Sequence, residues 1–213
     1  MSSLFITMEG IDGCGKSTQI DLLAAALSRQ GLDVLVTREP GGTPVGESLR
    51  SLLSSDVSLN IVPAVELFLI VGARAQHVAE RIRPALEAGK VVISDRYTDS
   101  TIAFQGHGRG LDLDLIDRMN DLATGGLSPN LTLVFDLEPR LARRRSNARP
   151  VGGLLRAFDE EHADFHARVR AAYLKLASNE PGRVKIIDAD GAVEQIHQRV
   201  LQCVAPLITT VER

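Results

Sequence analysis

The sequence predicts a three-layer α/β fold around a parallel five-stranded sheet, and three observations carry that expectation. Five short segments rich in Val, Ile, Leu and Phe punctuate the chain: 4–9 (LFITME), 34–39 (VLVTRE), 91–95 (VVISD), 131–137 (LTLVFDL) and 184–188 (VKIID). None alternates cleanly between apolar and polar residues, as expected of strands covered on both faces. Helical patterns lie between them, and strands alternating with helices imply right-handed crossovers with helices on both sides of the sheet.

Taken in order, the first strand opens into a glycine-rich loop. Ile20, Leu23 and Leu27 then recur on one helical face until Gly31, a residue suited to stopping a helix. After the second strand, Pro63 opens a long helix through 64–88, with Gly89 just past its end. The third, fourth and fifth strands follow, and Val193, Ile196, Val200 and Val204 mark a final helix. The stretch SNARPVGGLL at 146–155 is weakly patterned and reads as a loop within one domain spanning 1–213.

Bulk composition narrows the function classes. With 213 residues, 44% hydrophobic and 24% charged, the chain can bury one sizeable core. A net charge of −3 gives no global electrostatic case for nucleic acid or an anionic membrane, so any anion site is local. There is no room before the first strand for a signal peptide, and the apolar run at 67–73 is far shorter than the roughly 20 residues a bilayer requires. A cytoplasmic location is expected. Two cysteines, Cys14 and Cys203, make neither a disulfide framework nor a metal set.

Chemistry concentrates in GIDGCGKST, residues 10–18, which carries the spacing G-x-x-x-x-G-K-[ST] between a strand and a helix. Backbone N–H groups from Gly10, Ile11, Asp12, Gly13, Cys14, Gly15 and Thr18 are expected to cradle the phosphates of a nucleotide triphosphate. Lys16 reaches the β- and γ-phosphates, and the Ser17 hydroxyl ligates Mg²⁺. Switch GTPases, motors and small-molecule kinases all use such a loop. No guanine-specifying N-K-x-D is present, and the chain is small for an oligomeric motor. A kinase needs a second anion pocket, and arginines stand at two strand ends: Arg38 in TREPGG and Arg96 in SDRY, the latter beside Asp95.

Nearly end to end, these pieces resemble the thymidylate kinase family of the bacterial type with arginines in the lid. The matching motifs are EGIDGCGKSTQ (9–19), TREPGGT (37–43), LR (49–50), ARAQH (73–77), DRYTDSTIAFQG (95–106) and IDA (187–189). The resemblance implies a P-loop nucleoside monophosphate kinase fold, Mg²⁺ and ATP as phosphoryl donor, dTMP as acceptor, and a homodimer. By the same resemblance, Asp12 lies near the acceptor's 3′-hydroxyl and the metal, and Arg38, Arg50 and Arg96 grip the monophosphate; Asp95, at a strand end next to the loop, is placed to position the metal's waters. Arg74, Thr101 and Gln105 read the thymine edge, and Phe104 stands where the family usually places a tyrosine against ribose. Ile70 takes the place of a stacking phenylalanine, while Phe68, two residues away, points elsewhere on the helix.

In this family either the loop or the lid supplies a catalytic arginine. Gly13 occupies the loop position, which assigns the role to the basic tract RLARRRSNAR at 140–149 within a mobile lid at about 143–157. Arg145 and Arg149 are spaced i, i+4, so both face one way if the helix continues. Arg149 is assigned the transition state and Arg145 a place over the adenine. Arg156 stands one position early against the family pattern, roughly 100° around a helix. Two other readings remain open from the residues: a kinase for another pyrimidine monophosphate, and a non-kinase ATP-binding regulatory or nucleic-acid-associated protein.

Overall fold

The computed structural model describes residues 3–54, 60–147 and 163–211. Strands β1 (Leu4–Glu9), β2 (Val34–Arg38), β3 (Val91–Asp95), β4 (Leu131–Asp136) and β5 (Val184–Asp188) are all parallel, in the order β2-β3-β1-β4-β5. All six residues of β1 are buried. Leu4, Ile6 and Met8 join a large core with Ile20, Leu23 and Leu27, while Phe5 packs in a second cluster with Val78, Ile82 and Val92. Burial on both faces is why these strands lack alternation in sequence.

The helices are α1 (Lys16–Arg29), α2 (Pro44–Ser54), α3 (Pro63–His77), α4 (Arg83–Glu87), α5 (Thr98–Thr101), α6 (Leu113–Thr124), α7 (Pro139–Asn147), α8 (Ala163–Asn179) and α9 (Val193–Val211). The long helix expected over 64–88 begins at Pro63 but passes through a π-helical turn, Val78–Ile82, before α4. Pro84 is the physical reason: it has no N–H to offer the carbonyl four residues back, and its ring crowds that carbonyl. The Arg83 N–H instead reaches back five residues to the Val78 carbonyl. A second π-helical turn, Ile102–Gly108, continues α5. Of the expected loop at 146–155, residues 146 and 147 close α7, and 148–155 lie outside the described residues.

Register places the functional strand ends together. Met8 of β1 and Arg38 of β2 are both paired with Asp95 of β3, so the glycine loop after β1 and the arginines after β2 and β3 share one edge. Ligands of open α/β sheets bind outside this carboxyl edge. Among the described residues, no helix is long and apolar enough to cross a membrane.

Candidate active site

The loop between β1 and α1 is built for close approach of backbone. Gly10 has φ 133° and Gly15 φ 96°, both in the region that favours glycine. A Cβ on Gly10 would come 2.6 Å from the Phe135 carbonyl oxygen. Gly15 caps α1 with no side-chain bond, which leaves the helix's first N–H groups for an anion. Lys16 is 6% exposed and folds back so that Nζ donates to the Gly10 and Ile11 carbonyls at 3.1 and 3.2 Å. Gly10 and Ile11 therefore frame the loop from behind.

Behind the loop, Arg96 adopts φ 74°, the one described non-glycine residue with positive φ. Its Nη2 donates to Asp12 Oδ1 at 2.7 Å, its Nη1 to Ser100 Oγ at 3.1 Å, and its guanidinium lies 4.7 Å from the centre of the Phe104 ring. Burial alone would raise Asp12, but the Arg96 and Lys16 charges outweigh it and hold the carboxyl below its ordinary value. Strain at Arg96 requires a surrounding structure that holds it. Glu9, wholly buried at the end of β1, is part of that structure. It accepts from the Tyr97 backbone N–H at 2.8 Å, Ser100 Oγ at 2.5 Å and Tyr173 Oη at 2.7 Å. Burial pushes the Glu9 carboxyl up to about 7, against the opposing pull of Arg96.

At the far end of the site, Arg74 on α3 is 1% exposed and heavily engaged. Nε donates to Glu39 Oε2 at 2.7 Å, Nη1 to Thr101 Oγ1 at 2.8 Å and Asn120 Oδ1 at 2.6 Å, and Nη2 to the Tyr97 carbonyl at 2.9 Å. The other Glu39 oxygen meets His77 Nδ1 at 3.0 Å, and His77 Nε2 meets Thr37 Oγ1 at 2.6 Å. A chain of buried polar groups thus fixes the guanidinium from behind. Gln105 donates Nε2 to Glu66 Oε1 at 2.7 Å.

All of this surrounds one cavity of about 790 Å³. Of the loop, Asp12, Gly13, Cys14, Gly15, Lys16, Ser17 and Thr18 line it; Gly10 and Ile11 do not. Arg38, Arg50, Asp95 and Arg96 also line it, as do Ile70, Arg74, Thr101, Phe104 and Gln105; Arg96, bonded to Asp12 of the loop and set against Phe104, lies between the loop and that last group. Arg38 also pairs with Glu47 at 2.9 Å, and Arg50 Nη1 donates to the Pro40 carbonyl at 2.8 Å. Asp95 Oδ1 is buried with no hydrogen-bond partner among the described residues. Phe68 is 59% exposed on the outer face of α3, so of the two it is Ile70 that lines the cavity.

Arg145 lines the cavity from α7, its Nη1 on the Ala189 carbonyl at 2.9 Å. Arg149, Arg156 and the part of the expected lid beyond 147 lie outside the described residues. Sequence reasoning missed Ser100, Glu39, Gly191, Val193 and Ile196 on the cavity wall, and Glu9 and Tyr173 behind it. Only Glu9 carried a signal, as a carboxylate inside a buried apolar strand.

The family model for thymidylate kinase matches residues 8–200. The thymidylate kinase of Desulfovibrio desulfuricans is 50% identical over 204 residues, covering 94% of this chain and 93% of its own. The chain belongs to the thymidylate kinase family. The thymidylate kinase of Pseudomonas putida is 47% identical over 206 residues, covering 97% and 96% of the two chains. A crystal structure of thymidylate kinase from Ehrlichia chaffeensis, 35% identical, superposes with a TM-score of 0.77 over 96% of this chain and 99% of the other. The parallel five-stranded sheet is thus a thymidylate kinase fold.

Proposed function

We propose that this protein transfers the γ-phosphoryl group of ATP to dTMP, giving dTDP for dTTP biosynthesis. The observation that carries this reading is the single cavity running from the phosphate loop, past Arg38, Arg50 and Arg96, to the buried polar edge of Arg74, Thr101 and Gln105. Triphosphate, monophosphate and base each have matching chemistry in sequence along it. Arg145, Gly191, Val193 and Ile196 line the same cavity, which supports placing the adenosine of ATP against α7 and α9.

The acceptor oxygen belongs to a phosphomonoester whose second pKa is about 6, so no strong base is required. The protein's work is alignment and charge neutralisation. Lys16 and the free N–H groups of α1 hold the donor phosphates; Arg38, Arg50 and Arg96 hold the acceptor phosphate. Asp12 fixes the Arg96 fork and accepts from the sugar's 3′-hydroxyl. Phe104, held against Arg96, fills the space a 2′-hydroxyl requires. The unpartnered Asp95 Oδ1 and the Ser17 hydroxyl suit Mg²⁺, which binds through one or two carboxylates plus substrate phosphates. Bound there with ATP, the ion offsets phosphate charge.

Arg149, in a lid over 143–157, is assigned to the transferring phosphoryl group. The protein acts as a homodimer in the cytoplasm. Val65 and Phe68 on α3 and Val45 and Leu52 on α2 are exposed apolar side chains on two packed helices, which supports a partner there.

The test is ADP release from Mg·ATP with dTMP, dUMP, UMP, dCMP or dGMP, against a no-acceptor control. A clear dTMP preference is expected. Equal hydrolysis with and without acceptor refutes the kinase reading, and a different favoured acceptor refutes the substrate.

A further inference from the structure

The Gln105 amide has a polarity that its surroundings dictate. Glu66, on α3, is 7% exposed and is held by Arg109, whose Nη2 lies 3.1 Å from Oε2 and Nε 3.4 Å from Oε1. Arg109 is itself set over the Phe165 ring of α8, 4.9 Å from its centre. A carboxylate paired with a guanidinium only accepts hydrogen bonds. The group it meets at 2.7 Å is therefore the Gln105 nitrogen, and the amide oxygen has no bond to the protein among the described residues. Since Gln105 lines the cavity, that oxygen is an acceptor offered to whatever occupies it.

Arg74 complements this. Its bonds to Glu39, Thr101, Asn120 and Tyr97 use four of the five guanidinium N–H groups, which leaves one Nη2 donor on a side chain that lines the same end of the cavity. The lining of the cavity thus holds one spare donor and one spare acceptor. A thymine or uracil ring offers O4 as acceptor next to N3–H as donor, the matching pattern. Cytosine offers N4–H₂ as donor next to N3 as acceptor, the reverse at both positions.

We propose that Glu66 is a positioning residue for base specificity: by locking the Gln105 amide oxygen toward the cavity, it admits 4-oxo pyrimidines and rejects 4-amino ones. This rests on the reading of the cavity end as the dTMP base site. The mechanism is negative selection, because cytosine leaves buried polar groups on both sides facing like groups. The 5-methyl group plays no part in it, since dTMP and dUMP share the same edge.

The experiment is steady-state kcat/KM for dTMP, dUMP and dCMP in the wild-type and in Glu66→Gln. Glutamine can accept or donate, so the facing Gln105 amide is free to turn over. The dTMP:dCMP ratio is expected to fall by at least about tenfold, through both a loss on dTMP and a gain on dCMP, with the dTMP:dUMP ratio unchanged. A second variant, Gln105→Met, removes the acceptor without relying on Glu66 and is expected to lower dTMP and dUMP together while leaving dCMP the same or better. Equal losses on all three substrates in Glu66→Gln, with the dTMP:dCMP ratio held, would reduce Glu66 to a structural ion-pair partner and overturn the inference. A wild-type enzyme that shows no preference for dTMP over dCMP would instead refute the base-site assignment itself.

Discussion

Glu9→Gln isolates the energetics of a carboxyl buried directly behind the phosphate loop. Burial raises the Glu9 pKa from 4.5 to about 7, with Arg96 opposing and Asp99 adding to the rise. The folded protein therefore binds a proton that the unfolded chain releases between those two values. Stability from this group is fully present below pH 4.5, falls as pH rises through the window, and is flat above about 7. At 1.36 kcal/mol per pH unit the loss is about 3 kcal/mol. Glutamine keeps the shape, and its amide oxygen still accepts from Tyr97 N–H, but it does not titrate. Urea unfolding at pH 5 and pH 8 should show the wild-type losing about 2–3 kcal/mol more than the variant across that range. Asp12, Glu47 and Glu180, all held below their ordinary values, titrate below this window, and the His197 contribution is common to both proteins. Parallel stability profiles for the two proteins would refute the assignment of a buried, protonatable Glu9.

Three further changes test other parts of the site and assembly. Arg96→Lys keeps the charge but loses the fork that spans Asp12 and Ser100, and should lower kcat/KM for dTMP by about 100-fold or more with little change in melting temperature. Gly10→Ala places a Cβ 2.6 Å from a carbonyl at φ 133° and should cost at least about 2 kcal/mol, read by chemical denaturation. Phe68→Asp puts a charge on the exposed face of α3 and should convert a dimer to monomer in light scattering, without altering the wild-type melting of the monomer core.

How much was legible in the sequence follows from range. The strands were plain because burial on both faces writes itself into consecutive residues, and the phosphate loop because its geometry is local to residues 10–18. Helices α2 and α6 were not read, although the sequence carries signals for them: Pro44 opens α2, and Asp112 and Gly125 stand at the start and stop of α6. The π-helical turn at 78–82 follows from Pro84 only once the chain is known to continue as a helix through it. Glu9 shows the deeper limit: its meaning depends on Ser100 and on Tyr173, 164 residues away, and nothing near it in sequence states that. Arg74 and Gln105 were assigned from the family resemblance, but the partners that orient them are distant in sequence: Glu39 just after β2 and Asn120 on α6 for Arg74, and Glu66 on α3 for Gln105.

The strand order has a consequence for how the enzyme comes into being on the ribosome. The central strand, β1, pairs with β3 and β4 and never with its neighbour in sequence, β2. A nascent chain ending before residue 91 carries the complete nucleotide-cradling motif but no strand against which to build it. Long-range pairing of this kind is intrinsically slow, because loop closure precedes the contacts that reward it. At about 5–20 residues per second, β1 waits several seconds without a strand to pair with until 91–95 and then 131–136 emerge. The part of the protein that is easiest to recognise from its letters thus cannot take shape until more than half of the chain has been made.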